Sequence, residues 1–226
     1  MKRNILTNHY RAGKLLPTQE ELANKYDVSR ATINKALKLL ENERLIYSVQ
    51  GSGTFVRQRM QENSSELLPF DYPVGVTYSH RDQEIESKIL LFDISFPSQE
   101  IKEKLALKDD EPVYEFKRLR YLNGKIHSLE HTFMPISIVT LNEEILKGSV
   151  YDYLGSEAKL KLTDARRIVY SSESDKEISQ AFHIKEGSPV LVIEQLAFDQ
   201  TGDIFEYSSS YFPNEKTKFV LDIHLN

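Results

Sequence analysis

Residues 18–56 constrain the fold more than any other part of the chain. Thr18 to Tyr26 reads as a short helix: Thr18 is a good N-cap, Glu21 completes a capping box three residues on, and Pro17 marks the turn before it. Asp27-Val28 leaves room for only a tight connection, and Ser29 is a second N-cap candidate. From Arg30 to Glu41, the apolar residues Ile33, Ala36, Leu37 and Leu40 keep the 3.6-residue period of a helix with one buried face. Two short helices joined so closely predict a helix-turn-helix. Leu45–Val49 and Thr54–Val56 then read as strands around the turn Gln50-Gly51-Ser52-Gly53, a β-hairpin in the position of a wing. A helical hairpin alone also builds ordinary cores, so the wing is what makes the pattern specific.

Charge agrees with a head that meets a polyanion. Residues 1–60 carry 11 Lys and Arg against 5 Asp and Glu, while the rest carries 18 against 29. A head of +6 on a body of -11 suggests a polyanion-binding module joined to a part with another task, although uneven solvation of ordinary surfaces gives the same numbers. The absence of cysteine excludes disulfides, thiol catalysis and thiolate metal sites, and fits a cytoplasmic protein. No apolar run reaches the roughly 18 residues of a membrane span, and no apolar segment of a secretion signal follows Met1-Lys2-Arg3-Asn4.

Residues 57–70 are polar and aperiodic at their start and read as a linker. Beyond them the pattern is mixed. Val113–Leu122 and Lys125–Phe133 look like strands, and Asn123-Gly124 between them is a strong hairpin signal. Helices are expected over Ile138–Lys147, Val150–Gly155 and Lys176–Phe182. Pro189–Phe198 and Glu206–Phe212 are strand-like, joined by Asp199-Gln200-Thr201-Gly202-Asp203. The expected fold is α+β: a winged helix-turn-helix domain over 1–57, a linker over 58–72, and a domain with a mixed or antiparallel sheet over 73–226.

Three ordered blocks carry a resemblance: Leu16-Pro17-Thr18-Gln19-Glu20-Glu21-Leu22-Ala23, Val28-Ser29-Arg30-Ala31-Thr32-Ile33-Asn34-Lys35-Ala36-Leu37, and Gly51-Ser52-Gly53-Thr54-Phe55-Val56. Over about residues 13–56 the chain resembles the GntR family of bacterial regulators. That implies a second helix in the DNA major groove and a wing tip near the minor groove. Thr18, Ser29, Arg30, Ala31, Thr32, Asn34, Lys35, Gly51, Ser52 and Gly53 are then the candidate DNA-binding residues. The chemistry is suitable. Ser29 and Thr32 are short hydroxyls at a helix N-terminus, where free N–H groups favour phosphate. Arg30 can hold phosphate or pair bidentately with guanine. Asn34 can address adenine or be plain solvated surface, and Lys35 and Lys38 suit phosphate or solvent. Gly51 and Gly53 let backbone approach DNA, or simply make a tight turn. Two departures matter: Glu20 stands where the family usually has an arginine that touches DNA, and Asn34 stands where arginine is usual. The operator is therefore expected to differ from the family's common sites. Few residues precede Gly13 where the family has a full helix, so the first helix is expected to be truncated, or Met1 to be internal to a longer product.

Arg118-Leu119-Arg120, Glu130, Pro135 and Phe205-Glu206-Tyr207-Ser208 carry a looser resemblance, over roughly 73–222, to the UTRA effector domain of the HutC branch. On a strand, Arg118 and Arg120 share a face about 6.5 Å apart, a suitable clamp for phosphate or carboxylate. The resemblance makes these two arginines the anion contacts and Glu130 a ligand-binding glutamate. It also puts Ser79 in a loop closing over ligand, Ser149 and Tyr151 at a helix start beneath it, and Glu206 on a late strand facing the pocket. Each has a plainer reading: paired surface arginines, a helix cap at Ser149, a core ring at Tyr151. A strict two-residue turn at Asn123-Gly124 would set Glu130 against Lys117, on the face opposite the arginines, whereas a one-residue bulge would bring it across. Phe212 stands where the family often has an aromatic hydroxyl.

No nucleophile elbow, phosphate loop or His-Glu-x-x-His pattern is present, and His127 and His131 would lie about 13 Å apart on a strand, too far to share a metal. No enzyme activity, cofactor or metal is expected. The expected function is a homodimeric, ligand-controlled repressor that binds palindromic operator DNA. Its expected effector is a small anion such as a sugar phosphate or amino-sugar phosphate. An activator of the same architecture, a carboxylate effector, and a sensor or enzyme domain that binds no DNA are the alternatives.

Overall fold

The capping box at Thr18 forms in the computed structural model, which describes residues 1–6, 9–42, 45–57, 67–69, 83–108, 111–160 and 162–220. Thr18 Oγ1 accepts from the Glu21 amide at 3.3 Å, and Glu21 Oε2 accepts from the Thr18 amide at 2.8 Å, so two otherwise orphaned donors are satisfied. Helix α2 (Gln19–Tyr26) starts there and stops at Asp27, whose left-handed φ of 51° turns the chain. Ser29 Oγ accepts from the Thr32 amide at 3.1 Å and opens α3 (Arg30–Asn42). A short α1 (Lys2–Leu6) precedes them. Leu16, Leu22, Ala23, Ile33, Leu37, Leu40, Leu45, Ile46 and Val56 form one buried core, with Ile5, Tyr10 and Tyr26 packed on its edge. The apolar period of α3 thus points inward as its spacing predicts.

The wing is β1 (Ile46–Val49) paired antiparallel with β2 (Gly53–Val56), in the register Ile46 to Val56 and Val49 to Gly53. Gly53 has φ of +107°, and a Cβ there would sit 2.7 Å from Leu15 Cδ1. Glycine is required for its backbone, whereas Leu15 Cδ1 is the end of an exposed side chain that can move aside. Gly53→Ala is expected to cost about 1–3 kcal/mol of stability in chemical unfolding, because a side chain must adopt a sparsely populated conformation. An unchanged midpoint would show that the wing relaxes freely.

The chain divides into two units, Met1–Asn63 and Ser64–Asn226. The second is built on a six-stranded antiparallel sheet. Its strands are β4 (Ile85–Ser95), β5 (Val113–Leu122), β6 (Lys125–Pro135), β7 (Asp164–Glu173), β8 (Pro189–Phe198) and β9 (Ile204–Pro213), in the order β4-β5-β6-β9-β8-β7. Helices α5 (Glu143–Lys147) and α6 (Val150–Glu157) lie on one face, where Leu146, Val150 and Leu154 pack against Phe116, Met134, Ala197 and Phe205. Helices α4 (Gln99–Leu105) and α7 (Lys176–Phe182) cover the other: Ile101 and Leu105 meet Val113 and Tyr207, and Ile178 and Phe182 meet Leu119, Leu129, Val190 and Val192. This is the α+β class expected, in three layers.

Several expected boundaries shift. The helix expected over Ile138–Lys147 is only Glu143–Lys147. Asn142 Oδ1 accepts from the Ile145 amide at 3.0 Å and fixes the start, while the Leu141 amide donates to Tyr114 Oη at 3.2 Å instead of to a preceding turn of helix. Leu67–Pro69, inside the segment read as linker, forms β3 and pairs parallel with β10 (Lys218–Val220). β4, α4 and β7 have no counterpart among the expected elements. Among the described residues no helix is long and apolar enough to cross a membrane.

Candidate functional site

On α3, Arg30, Ala31, Thr32, Asn34 and Lys35 are all exposed, while Ile33 and Leu37 between them are buried. The helical period therefore gathers the expected DNA-contacting residues on one solvent face, with Ser29 at its start. Ser29 Oγ and Thr32 Oγ1 lie 2.9 Å apart and share a hydrogen bond. Thr18, Gly51, Ser52 and Gly53 are exposed as well, the glycines at the wing tip. Two contacts join the first turn of α2 to α3: Glu20 Oε2 meets Arg30 Nη2 at 2.8 Å, and Gln19 Nε2 donates to Asn34 Oδ1 at 3.0 Å. Asn34, itself exposed, therefore has a polar partner on α2. Arg30→Ala is expected to weaken operator binding by about 1–3 kcal/mol with relaxed preference at one base pair if Arg30 reads a base. If Arg30 holds only phosphate, loss is expected on all sequences alike, with the salt slope lower by about one. Unchanged affinity in fluorescence anisotropy would remove Arg30 from the interface.

The effector-site expectations turn on one hairpin. Asn123 and Gly124 both have positive φ, 49° and 72°, as a tight two-residue turn requires. Pairing runs Leu122 to Lys125 and Tyr121 to Ile126, then shifts, so that Arg120 meets Ser128 and Arg118 meets Glu130. His127 is the extra residue of a bulge. The bulge carries Glu130 to the face of the arginines, and the exposed pairing of Glu130 with Lys117 is excluded: Lys117 Nζ lies 2.6 Å from Glu177 Oε2 instead.

Arg118, Arg120 and Glu130 are all buried. Arg118 Nη2 donates to Glu130 Oε2 at 2.7 Å, and Arg120 Nη1 lies 3.9 Å from the same oxygen. Burial pushes the Glu130 carboxyl up, but the attraction of Arg118 and Arg120 outweighs it and holds the group below its usual range. Arg118 Nη1 also donates to the Leu146 and Gly148 carbonyls at 3.1 and 3.3 Å, tying down the turn between α5 and α6. Ser149, the next residue, caps α6 through the Asp152 amide at 3.2 Å, so its plain structural role is real.

Tyr151 is more than a core ring. Its hydroxyl donates to Glu206 Oε1 at 2.9 Å and accepts from Gln195 Nε2 at 2.9 Å, while its ring packs edge-on against Phe205. Ser208 Oγ donates to the same Glu206 oxygen at 2.9 Å, and Arg167 Nε donates to Gln195 Oε1 at 2.7 Å. Burial raises the Glu206 carboxyl despite these donors and nearby Arg118, and raises the Tyr151 phenol strongly. Cross-strand pairing explains the assembly: Thr132, Ser208, Gln195 and Arg167 stand opposite one another on β6, β9, β8 and β7. One polar row therefore crosses the sheet beside the arginine pair. Two buried atoms on this face, Arg118 Nε and Ser128 Oγ, have no hydrogen-bond partner among the described residues.

Ser128, Thr132, Arg167, Gln195 and Ser208 were not expected from the sequence. Parity along strands reaches three of them, since Ser128 and Thr132 flank Glu130 at two residues and Ser208 follows Glu206 at two. Gln195 and Arg167 required the pairing of β7 with β8. Ser79 lies outside the described residues. Among the described residues no group of three His, Asp or Glu is placed to hold a metal ion.

An exposed polar face on the second helix of a helix-turn-helix, with a wing after it, is the arrangement of a winged helix-turn-helix DNA-binding domain, here joined in one chain to an α+β domain. Residues 1–56 match the bacterial regulatory proteins of the gntR family, and residues 80–218 match the UTRA domain. The regulator GmuR of Bacillus subtilis strain 168 is 30% identical over 96% of this chain and 92% of its own length. The mannosyl-D-glycerate transport/metabolism system repressor MngR of Escherichia coli K12 is 26% identical over 98% of this chain and 91% of its own. The crystal structure of the possible transcriptional regulator YydK of Bacillus subtilis superposes with a TM-score of 0.85 at 30% identity, covering 99% of this chain and 95% of that one. The chain belongs to the GntR family and carries a UTRA domain of the HutC type. It is a DNA-binding transcriptional regulator, not an enzyme.

Proposed function

We propose that this regulator is a repressor of a carbohydrate-utilisation operon, released from a palindromic operator by a small anionic effector. The observation that carries the effector class is the pair Arg118 and Arg120, buried on one face of the sheet. Beside them, among the described residues, lie the buried carboxylates Glu130 and Glu206 and the half-buried Arg167. Burial also favours the neutral form of Glu206. The remainder beyond residue 60 is acidic overall, at -11, so positive charge in its interior is not a by-product of composition. Two guanidinium groups side by side on one strand face suit the oxygens of a phosphate or carboxylate. Ser149, Tyr151, Glu130 and Glu206 supply the hydroxyl and carboxylate partners that a sugar or amino sugar would use. A sugar phosphate or amino-sugar phosphate satisfies both ends. The name of MngR, a repressor of a sugar-derivative system, supports the same direction.

The interface to DNA comprises Thr18, Ser29, Arg30, Ala31, Thr32, Asn34, Lys35 and the wing tip Gly51-Ser52-Gly53. A single helix-turn-helix covers few base pairs, so specificity calls for two half-sites and a two-fold dimer. The sheet offers a place for the second copy: edge strand β7 leaves Ile168, Val169 and Tyr170 exposed. The stretch between the wing and β3 joins the DNA-binding domain to the effector domain and transmits the state of one to the other.

A thermal-shift screen of sugar phosphates, free sugars and small carboxylates tests the effector class. Stabilisation by a sugar phosphate should rise with ligand concentration over its dissociation constant. A best hit among neutral sugars contradicts the anion assignment, and one among simple carboxylates moves the effector to that class.

A further inference from the structure

The contact between α2 and α3 places a carboxylate in the DNA-reading surface. Glu20 and Arg30 are separated by 2.8 Å, yet their side chains are 67% and 65% exposed. An ion pair so open to solvent adds little to folding. Glu20 also sits in the first turn of α2, where the helix dipole would favour any acidic residue, so its presence alone proves no role. What singles it out is its partner: it holds the arginine at the start of the recognition helix, next to a second tie from Gln19 to Asn34 at 3.0 Å.

Resting on the DNA-binding reading above, we propose that Glu20 is a specificity-determining residue for the operator. It fixes the guanidinium of Arg30 for a guanine and offers its own free oxygen to the amino group of an adjacent cytosine. The chemistry of the major groove supports this division. Guanine presents the acceptors N7 and O6, which match the donors of arginine and repel a carboxylate. Cytosine presents the N4 amino donor, which a carboxylate accepts and an arginine cannot. Glu20 engages Arg30 through Oε2, leaving Oε1 for the neighbouring base. The same carboxylate repels phosphate, so it weakens binding to every other sequence while costing little at its own site.

Selection of half-sites from a randomised DNA pool by the full-length protein, Glu20→Ala, Glu20→Gln and Arg30→Ala tests the assignment. The parent protein is expected to enrich a guanine with a cytosine at the adjacent position. Glu20→Ala should keep the guanine, lose about five- to tenfold of the cytosine preference, and bind random DNA more tightly at low salt. Glu20→Gln, which keeps size and a hydrogen bond but loses the charge, should relax the cytosine preference in the same direction. Arg30→Ala should lose the guanine. If Glu20→Ala and Glu20→Gln select the parent's bases with undiminished discrimination, Glu20 is a structural tether only. A parent site with another base beside the guanine also overturns the proposal. A parent protein that enriches no motif at all overturns the DNA-binding reading itself, a different failure.

Discussion

Glu130→Ala is expected to destabilise the effector-free protein by about 3–5 kcal/mol in urea unfolding, because it takes from the buried Arg118 guanidinium the carboxylate it bonds and removes a negative charge close to buried Arg120. Arg118 and Arg120 lie 2.7 and 3.9 Å from the same Glu130 oxygen, and their mutual repulsion is no longer offset once it is gone. The pH dependence has a definite sign. The folded-state pKa of Glu130 lies below the ordinary 4.5, so its stabilisation is present in full above that value and is lost as pH falls through the lower, folded one. The gap between Glu130→Ala and the parent protein should therefore narrow in acid. Glu206 carries the opposite sign. Its folded pKa is raised above 4.5, so its contribution is full below that value and is lost as pH rises through the folded one. Glu206→Gln should gain on the parent over that rise. Parallel pH profiles for the two variants would refute the assignment of these carboxylates to different environments.

Loss of both arginines is the second large effect. Arg118→Ala combined with Arg120→Ala is expected to lower affinity for an anionic effector by roughly 10²–10⁴-fold, the removal of two charged contacts worth about 1.5–3 kcal/mol each. Folding must be controlled for, since Arg118 also ties the Leu146 and Gly148 carbonyls and neutralises Glu130. Adding Glu130→Gln removes the stranded carboxylate, and this triple variant should fold while remaining unresponsive in titration calorimetry. Arg120→Ala alone leaves the α5–α6 turn tied by Arg118 and should lose part of the affinity without loosening that turn. An effector that binds the triple variant as well as the parent would place the anion site elsewhere.

The helix-turn-helix was legible because its signals are local: two N-caps, a 3.6-residue period and a glycine turn act within a few residues. The same holds for the Asn123-Gly124 hairpin. The side of the sheet on which Glu130 lies was not legible, because it depends on a bulge at His127 that no residue type announces, and one residue of register exchanges the two faces. β7 escaped because Asp164–Glu173 is an edge strand whose apolar residues lie exposed rather than alternating with polar ones. Without β7 there was no route to Arg167, nor a reason to look at Gln195 within an otherwise apolar strand. The helix expected from Ile138 was overlong because Ile138 and Val139 pack on the core from a turn, where apolar spacing resembles that of a helix. The ion pair of Glu20 with Arg30 required the packing of α2 on α3, although Glu20 itself stood out as a departure from the family.

Occupation of the UTRA domain and occupation of the operator should be linked. That linkage is tested most directly by measuring operator affinity of the full-length protein with increasing sugar phosphate, and sugar-phosphate affinity with and without operator. The account predicts salt-dependent, sequence-preferring DNA binding that the effector weakens, and an effector affinity that the operator weakens by the same factor. Operator affinity that stays constant at saturating effector, or DNA binding with no sequence preference, would contradict it.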